Sequence, residues 1–477
     1  MRISDLYSLN RTQATLDFVD VDVERDTPLF VSPTALELVP SEWGDECVHL
    51  VQNYFRYVLE LIQTGENKRA EELLHQLHEP NETHLGFSKN QSRGRAVGNE
   101  YAHDVWDALS QSRAAATGLL EDLEDTVLMI DGISIDIVSD IATNIIRDPL
   151  IQYTQQMCRW HNISMEQSVN SGPLWDPVNH KWTSRLIELP VTSSGRLLLV
   201  PKAIVRQHLD YDAGEYYRHY ILEYLQRVEL NNNSELVQLL KNGEKRVTKK
   251  SLEEKYGSGK KTIVTQTRAH PEILREYKNA KKTSQQAALT HEDIALVENQ
   301  QDPDWDELLM RVINLSPGNE TAHLYETEVE ALLTALFYPQ LAYPTPQHEI
   351  HDGRKRIDIT YTNVAKAGFF SWLGMHYTAP RIFIECKNYT RELGNPELDQ
   401  IAGRFSPSRG KVGIIVCRNF EDKNNFLLRC RDTARDDRGF IIPVDDEDLK
   451  ALIEAKKVDP FFDRLQLFED RFNYLIS

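Results

Sequence analysis

Residues 381–390 read RIFIECKNYT. Ile382, Phe383 and Ile384 open as a buried strand, and Glu385 and Lys387 then stand where further apolar residues are expected. Side chains alternate faces along a strand, so Phe383, Glu385 and Lys387 share one face and Ile382, Ile384 and Cys386 the other. A carboxylate and an ammonium on a largely buried strand are costly unless each has a partner. The pair is therefore either a structural ion pair or part of a catalytic edge.

A second stretch, RKRIDITYTN at 354–363, has the same construction. Ile357 and Ile359 point one way, Asp358 and Thr360 the other. If the two strands pair, Asp358 and Glu385 lie together with Lys387 two residues along. Two carboxylates on one edge repel unless a cation sits between them, and hard oxygen ligands suit Mg²⁺ or Mn²⁺. Such an ion polarises a phosphodiester and acidifies a bound water, while a neighbouring lysine orients that water or stabilises developing charge.

The surroundings supply a fold order. A helix over HLYETEVEALLTALFYP (323–339) precedes a strand in QHEIHD (347–352) and the two acid-bearing strands. A helix in PELDQIAGRF (396–405), a strand in KVGIIVC (411–417) and a helix in 422–437 follow. A strand in GFIIPV (439–444) and a last helix end the pattern. This alternation predicts an α/β domain with a central mixed sheet flanked by helices.

Asp358 followed by Glu385-Cys386-Lys387 resembles the PD-(D/E)xK signature of restriction-endonuclease-like nucleases. The flanks resemble the Mrr-like branch. Tyr325-Glu326 followed by Val329, Leu332 and Leu333 matches its first helix, and Gln400-Ile401-Ala402-Gly403 matches the element after the lysine strand. The resemblance covers roughly residues 320–450. It implies a restriction-endonuclease-like fold in which Asp358, Glu385, the Cys386 carbonyl and Glu326 bind Mg²⁺ or Mn²⁺. It implies that Lys387 supports the attacking water and that Glu326 and Gln400 complete the catalytic set. The activity implied is metal-dependent DNA endonuclease cleavage, in restriction or defence against foreign DNA. RNA as substrate, and a non-catalytic nucleic-acid-binding scaffold, remain open alternatives. Two features depart from the family pattern. Ile357 stands where proline is usual, and the segment between the strands is long and carries GFFSWLGMHY (368–377). That apolar insert is expected to pack on the N-terminal part or a second subunit, or to act as a wedge at DNA.

A chain of 477 residues exceeds one ordinary core. The pattern divides it into a mostly α (α+β) region at 1–230 with a sensing, specificity or assembly role, a basic helical connector at 231–304, and the nuclease domain at 305–477. Within the first region, SIDIVSDIATNIIRDP (134–149) reads as a helix ending before Pro149, and Ser193-Ser194-Gly195 as a hairpin turn. The loop SRGRAVGNE (92–100) reads as a plain loop or an anion-binding nest.

The net charge of −19 argues against indiscriminate nucleic-acid coating. From Lys241 to Lys282, 13 Lys/Arg against 5 Asp/Glu leave +8, so the rest of the chain carries −27. Lys249, Lys250, Lys260 and Lys261 are the candidates there for phosphate contact, the alternative being a solvated linker. YGSGKKT (256–262) lacks the glycine spacing of a phosphate loop. Five scattered cysteines, no zinc spacing, no secretory h-region and no apolar run of membrane length predict a cytoplasmic protein with no membrane partner. The expected partners are DNA and either a second protein or another copy of the chain, met through the N-terminal region or the 368–377 insert.

Overall fold

The computed structural model describes residues 1–86, 96–208, 210–283, 288–350, 355–389, 391–459 and 465–477. The fold is mixed α/β. Its C-terminal part is built on five strands: β1 (Leu341–Ile350), β2 (Lys355–Asn363), β3 (Arg381–Lys387), β4 (Val412–Cys417) and β5 (Phe440–Val444). They lie side by side in sequence order. β1, β2 and β3 pair antiparallel, whereas β3, β4 and β5 pair parallel. The switch follows from the connections, because a parallel neighbour needs a crossover and here each crossover carries a helix. β4 is buried at every residue, as a central strand covered on both faces should be.

The larger N-terminal region is mostly helical. α1 (Glu42–Thr64) starts at Ser41, whose hydroxyl accepts from the Gly44 N–H at 3.1 Å, and stops at Gly65 with φ of 82°. α2 (Ile135–Ile145) is followed almost at once by α3 (Arg147–Trp160). Pro149 therefore sits in the first turn of α3 rather than beyond a helix end, a place where its missing N–H costs nothing. Val191 and Thr192 pair with Arg196 and Gly195 across the expected hairpin turn. Residues 92–95 of the candidate nest lie outside the described residues.

The basic stretch is not a free tether. Helices Lys249–Tyr256, Lys260–Ala269 and Pro271–Thr283 bury Leu252, Ile263, Ile273, Leu274 and Tyr277 in the N-terminal core. Of the four candidate lysines, Lys249 donates to the Arg218 carbonyl at 2.6 Å, and Lys260 donates to the carbonyls of Ile130 and Ile133 at 2.6 and 3.3 Å. Lys250 and Lys261 remain exposed.

A buried polar seam joins the two parts. The Asp17 carboxylate accepts from the Tyr153 hydroxyl (2.7 Å) and from the Tyr343 amide on β1 (3.0 Å). Arg11 pairs with Glu330 at 2.8 Å on α4 (Ala322–Phe337), and the His291 Nε2–H donates to the Ala335 carbonyl of the same helix at 2.8 Å. Buried charges of this kind are costly to strand, so the seam holds the N-terminal region in one register on the sheet.

The 368–377 insert contradicts its expected use as an exposed contact. It folds as α5 (Gly368–His376), with Phe369 and Phe370 each 1 % exposed. Phe370 meets Phe337 edge-on at 5.2 Å. Phe369 packs on Phe468 and Phe472 at 5.9 and 6.0 Å, both from the last helix of the chain. Phe369 and Phe370 are thus covered within the same domain, while Met375 near the end of the helix stays exposed.

Candidate functional site

The β2–β3 ladder pairs Thr362, Tyr361, Thr360 and Ile359 with Arg381, Ile382, Phe383 and Ile384, and no further. Where the strands part, the Cys386 N–H donates to the Asp358 carboxylate at 2.8 Å instead of to a backbone carbonyl. Asp358 thus satisfies an amide that the sheet leaves open. The alternation expected for 354–363 is not kept throughout, because Ile357 packs with Phe383 and Phe405 while Ile359 lies in the main C-terminal core with Ile382 and Ile384.

Glu385 is fully buried. Its Oε1 accepts from Lys387 Nζ at 2.7 Å and from Gln400 Nε2 at 2.8 Å, and Lys387 also donates to Gln400 Oε1 at 3.3 Å. Its Oε2 faces the guanidinium of Arg404. Gln400 comes from α6 (Asn395–Ala402), and Arg404 from the turn just past it. Gly413 on β4 lets this helix approach closely. A Cβ there would stand 2.7 Å from Ile401 Cδ1 and 3.0 Å from Phe405 Cζ. The Phe405 ring stacks on Phe383 at 5.7 Å, which seats the turn that carries Arg404.

Glu326 reaches the edge from α4. Gln347 of β1 donates to it at 2.5 Å. Burial raises the Glu326 carboxyl, Gln347 pulls it back, and the charge of Asp358 raises it further. Burial likewise raises Asp358, against the pull of the Cys386 amide and of the Lys387 and Arg404 charges. Tyr325, Val329, Leu332 and Leu333 are buried in the core behind Glu326.

Asn388 ties these pieces together. Its amide donates to the carbonyls of Ser316 and Gly318 and to the Thr321 hydroxyl at 2.9–3.2 Å, while its own carbonyl accepts from Gly318 N–H. The residue after the lysine strand therefore fixes the turn that opens the helix of Glu326. Sequence reading missed Asn388, Arg404 and Gln347. Arg404 had a signal, since it follows Gln400 by four residues, the spacing that places two side chains on one helix face.

Two carboxylates and a strand carbonyl are the donors expected for a hard divalent cation, and here both oxygens of Glu385 are engaged by Lys387, Gln400 and Arg404. The positive charge facing Glu385 is supplied by Lys387 and Arg404. Among the described residues, no group of three or more His, Cys, Asp or Glu is gathered closely enough to hold a metal. No helix among them is long and apolar enough to cross a membrane.

A family model described as a domain of unknown function, DUF8370, matches residues 8–212. The match covers less than half of the chain and stops short of Asp358 and Glu385. No curated protein and no solved structure matches the chain.

Proposed function

We propose that the C-terminal sheet carries a restriction-endonuclease-like phosphodiesterase site and that the chain is a metal-dependent endonuclease acting on DNA, in restriction or defence against foreign DNA. One observation carries the reading. Asp358 receives the Cys386 amide where the strands part, beside a hydrogen-bonded Glu385–Lys387–Gln400 group. Stability alone gives little reason for three charged groups on one sheet edge, because buried ion pairs contribute little to it. Asp358, Glu385 and the Cys386 carbonyl, with Glu326 beside them, would hold Mg²⁺ or Mn²⁺. When bound, that ion supplies Lewis-acid polarisation of the phosphodiester and an acidified water.

The chain's own residues do the positioning. Gln400 holds Lys387 and Glu385 together, so the ammonium stays at the edge where it can orient a water and face developing negative charge. Gln347 fixes the Glu326 carboxylate, which burial first and the nearby Asp358 charge second push upward. Residues 8–212, with the basic helices behind them, would direct or restrain cleavage through the buried seam on β1 and α4.

The test incubates supercoiled plasmid, linear DNA and RNA with the full chain in Mg²⁺, Mn²⁺ or EDTA, beside Asp358→Asn and Lys387→Ala. Metal-dependent nicking that both variants lose supports the reading. Cleavage of RNA alone changes the substrate and keeps the chemistry. Equal cleavage by the variants overturns the site. One observation favours a non-catalytic scaffold instead, namely that Glu385 is already flanked by the two cations Lys387 and Arg404. Binding to DNA without turnover in any metal would establish that reading.

A further inference from the structure

A cleft of about 740 Å³ opens between the C-terminal end of α3 and the start of α4, and Glu326 and Gln347 line it. Glu326 of the proposed catalytic set thus faces it together with the Gln347 that holds it, and its other wall belongs to the N-terminal region. Its size suits a nucleotide-sized ligand. On the far wall, the Trp160 and His161 rings lie nearly parallel, 16° apart with centroids at 4.8 Å. Trp160 is half-buried, and its indole N–H donates to no described group. Burial and the Arg11 charge push His161 down to about 3, so the pair is a neutral aromatic surface at physiological pH. Phe18 props His161 from behind, edge-on at 5.8 Å.

The cations of the cleft divide into two kinds. Arg11 is spent on Glu330 and the Thr327 carbonyl. Arg159 is exposed, and no described residue pairs with it. An aromatic face and a guanidinium lining one cleft suit an unpaired nucleotide, since its base has a free face to stack and its phosphate needs a counter-charge. A base within a duplex has neither face free.

Resting on the endonuclease reading above, we propose that this cleft seats an unpaired stretch of the substrate strand. A base stacks on Trp160, its phosphate meets Arg159, and the next phosphodiester is led past Glu326 to the Asp358–Glu385 edge. The enzyme then acts on single-stranded or locally unpaired nucleic acid, and the N-terminal region supplies half of the substrate site.

The experiment measures binding by fluorescence anisotropy in EDTA, with full-length protein carrying Lys387→Ala so that cleavage does not interfere. The probes are a labelled single-stranded DNA oligonucleotide, its RNA equivalent and the matched DNA duplex. Single strands should bind more tightly than the duplex. Trp160→Ala should weaken them about tenfold, and Trp160→Phe should restore most of the loss. Arg159→Gln, at an exposed position, should lower the salt slope by about one. Duplex binding equal to single-strand binding, or an unchanged salt slope in Arg159→Gln, overturns the proposal even if Trp160→Ala fails to fold. The two readings fail separately. Tight single-strand binding without turnover in any metal sinks the endonuclease alone, and cleavage with wild-type binding in both wall variants sinks the cleft alone.

Discussion

The guanidinium of Arg404 and the carboxylate of Glu385 form a buried ion pair across the turn after α6, with Lys387 on the other carboxylate oxygen. Two cations against one carboxylate decide how this site responds to substitution.

Removing the carboxylate strands both cations. Glu385→Ala should cost ~3–5 kcal/mol of stability by leaving charges buried and unpaired. Glu385→Gln, which keeps the shape and an oxygen for Lys387, should cost less and still abolish cleavage. Chemical denaturation beside the plasmid assay checks this, and equal destabilisation by the two variants would contradict the pairing.

In the proposed site, Arg404 and a divalent cation would compete for the same carboxylate. Arg404→Gln should therefore lower the melting temperature in EDTA. It should then gain more from millimolar Mg²⁺ or Mn²⁺ than the wild type does, because an ion that binds only the folded state stabilises it by mass action. A metal-induced shift no larger than the wild-type shift would show that Arg404 does not guard the site.

Gly413 sets the height of α6 over the sheet. Gly413→Ala places a methyl group against Ile401 and Phe405. It should cost ~1–3 kcal/mol by overpacking, and it should reduce cleavage by moving Gln400 and Arg404 off Glu385. Denaturant titration with the plasmid assay reads both, and an unaffected activity would mean that the helix accommodates the methyl without moving.

The insert belongs to the domain core. Phe370→Ala should cost ~3–5 kcal/mol, the range for a buried phenylalanine, without changing the mass of the particle in light scattering. A stable variant with an altered oligomeric state would return this helix to an interface role.

Glu124 is buried beside Thr34, whose amide and hydroxyl donate to it at 3.3 and 3.2 Å. Burial pushes its carboxyl up from 4.5 to about 8. Between those values the folded chain keeps a proton that the unfolded chain has released. The Glu124 contribution to stability is therefore full below about 4.5 and falls by about 1.4 kcal/mol per pH unit up to about 8. Glu124→Gln lacks this loss, so its advantage over the wild type should grow across that window and then level off. A pH-independent difference in melting temperature would place the titration elsewhere.

Strand alternation in 381–390 was enough to put Glu385 and Lys387 on one face, because a period of two needs only local backbone geometry, whereas in 354–363 Ile357 joins Phe383 and not Ile359. The run of helices and strands after residue 320 was enough for a mixed sheet, since each element carries its own apolar pattern. Both readings concern which way a side chain points relative to its own strand or helix. What covers that side chain is a different matter. Arg404 reaches Glu385 because Gly413 lets α6 sit low, and Asn388 reaches the 316–321 turn because the end of β3 lies beside it. Phe369 and Phe370 are covered by a helix roughly 100 residues later in the chain. The cleft at Trp160 lies where Asp17, Arg11 and His291 tie the earlier part of the chain to α4 and β1. Those partners come from distant parts of the chain, and they meet through packing that no local period encodes.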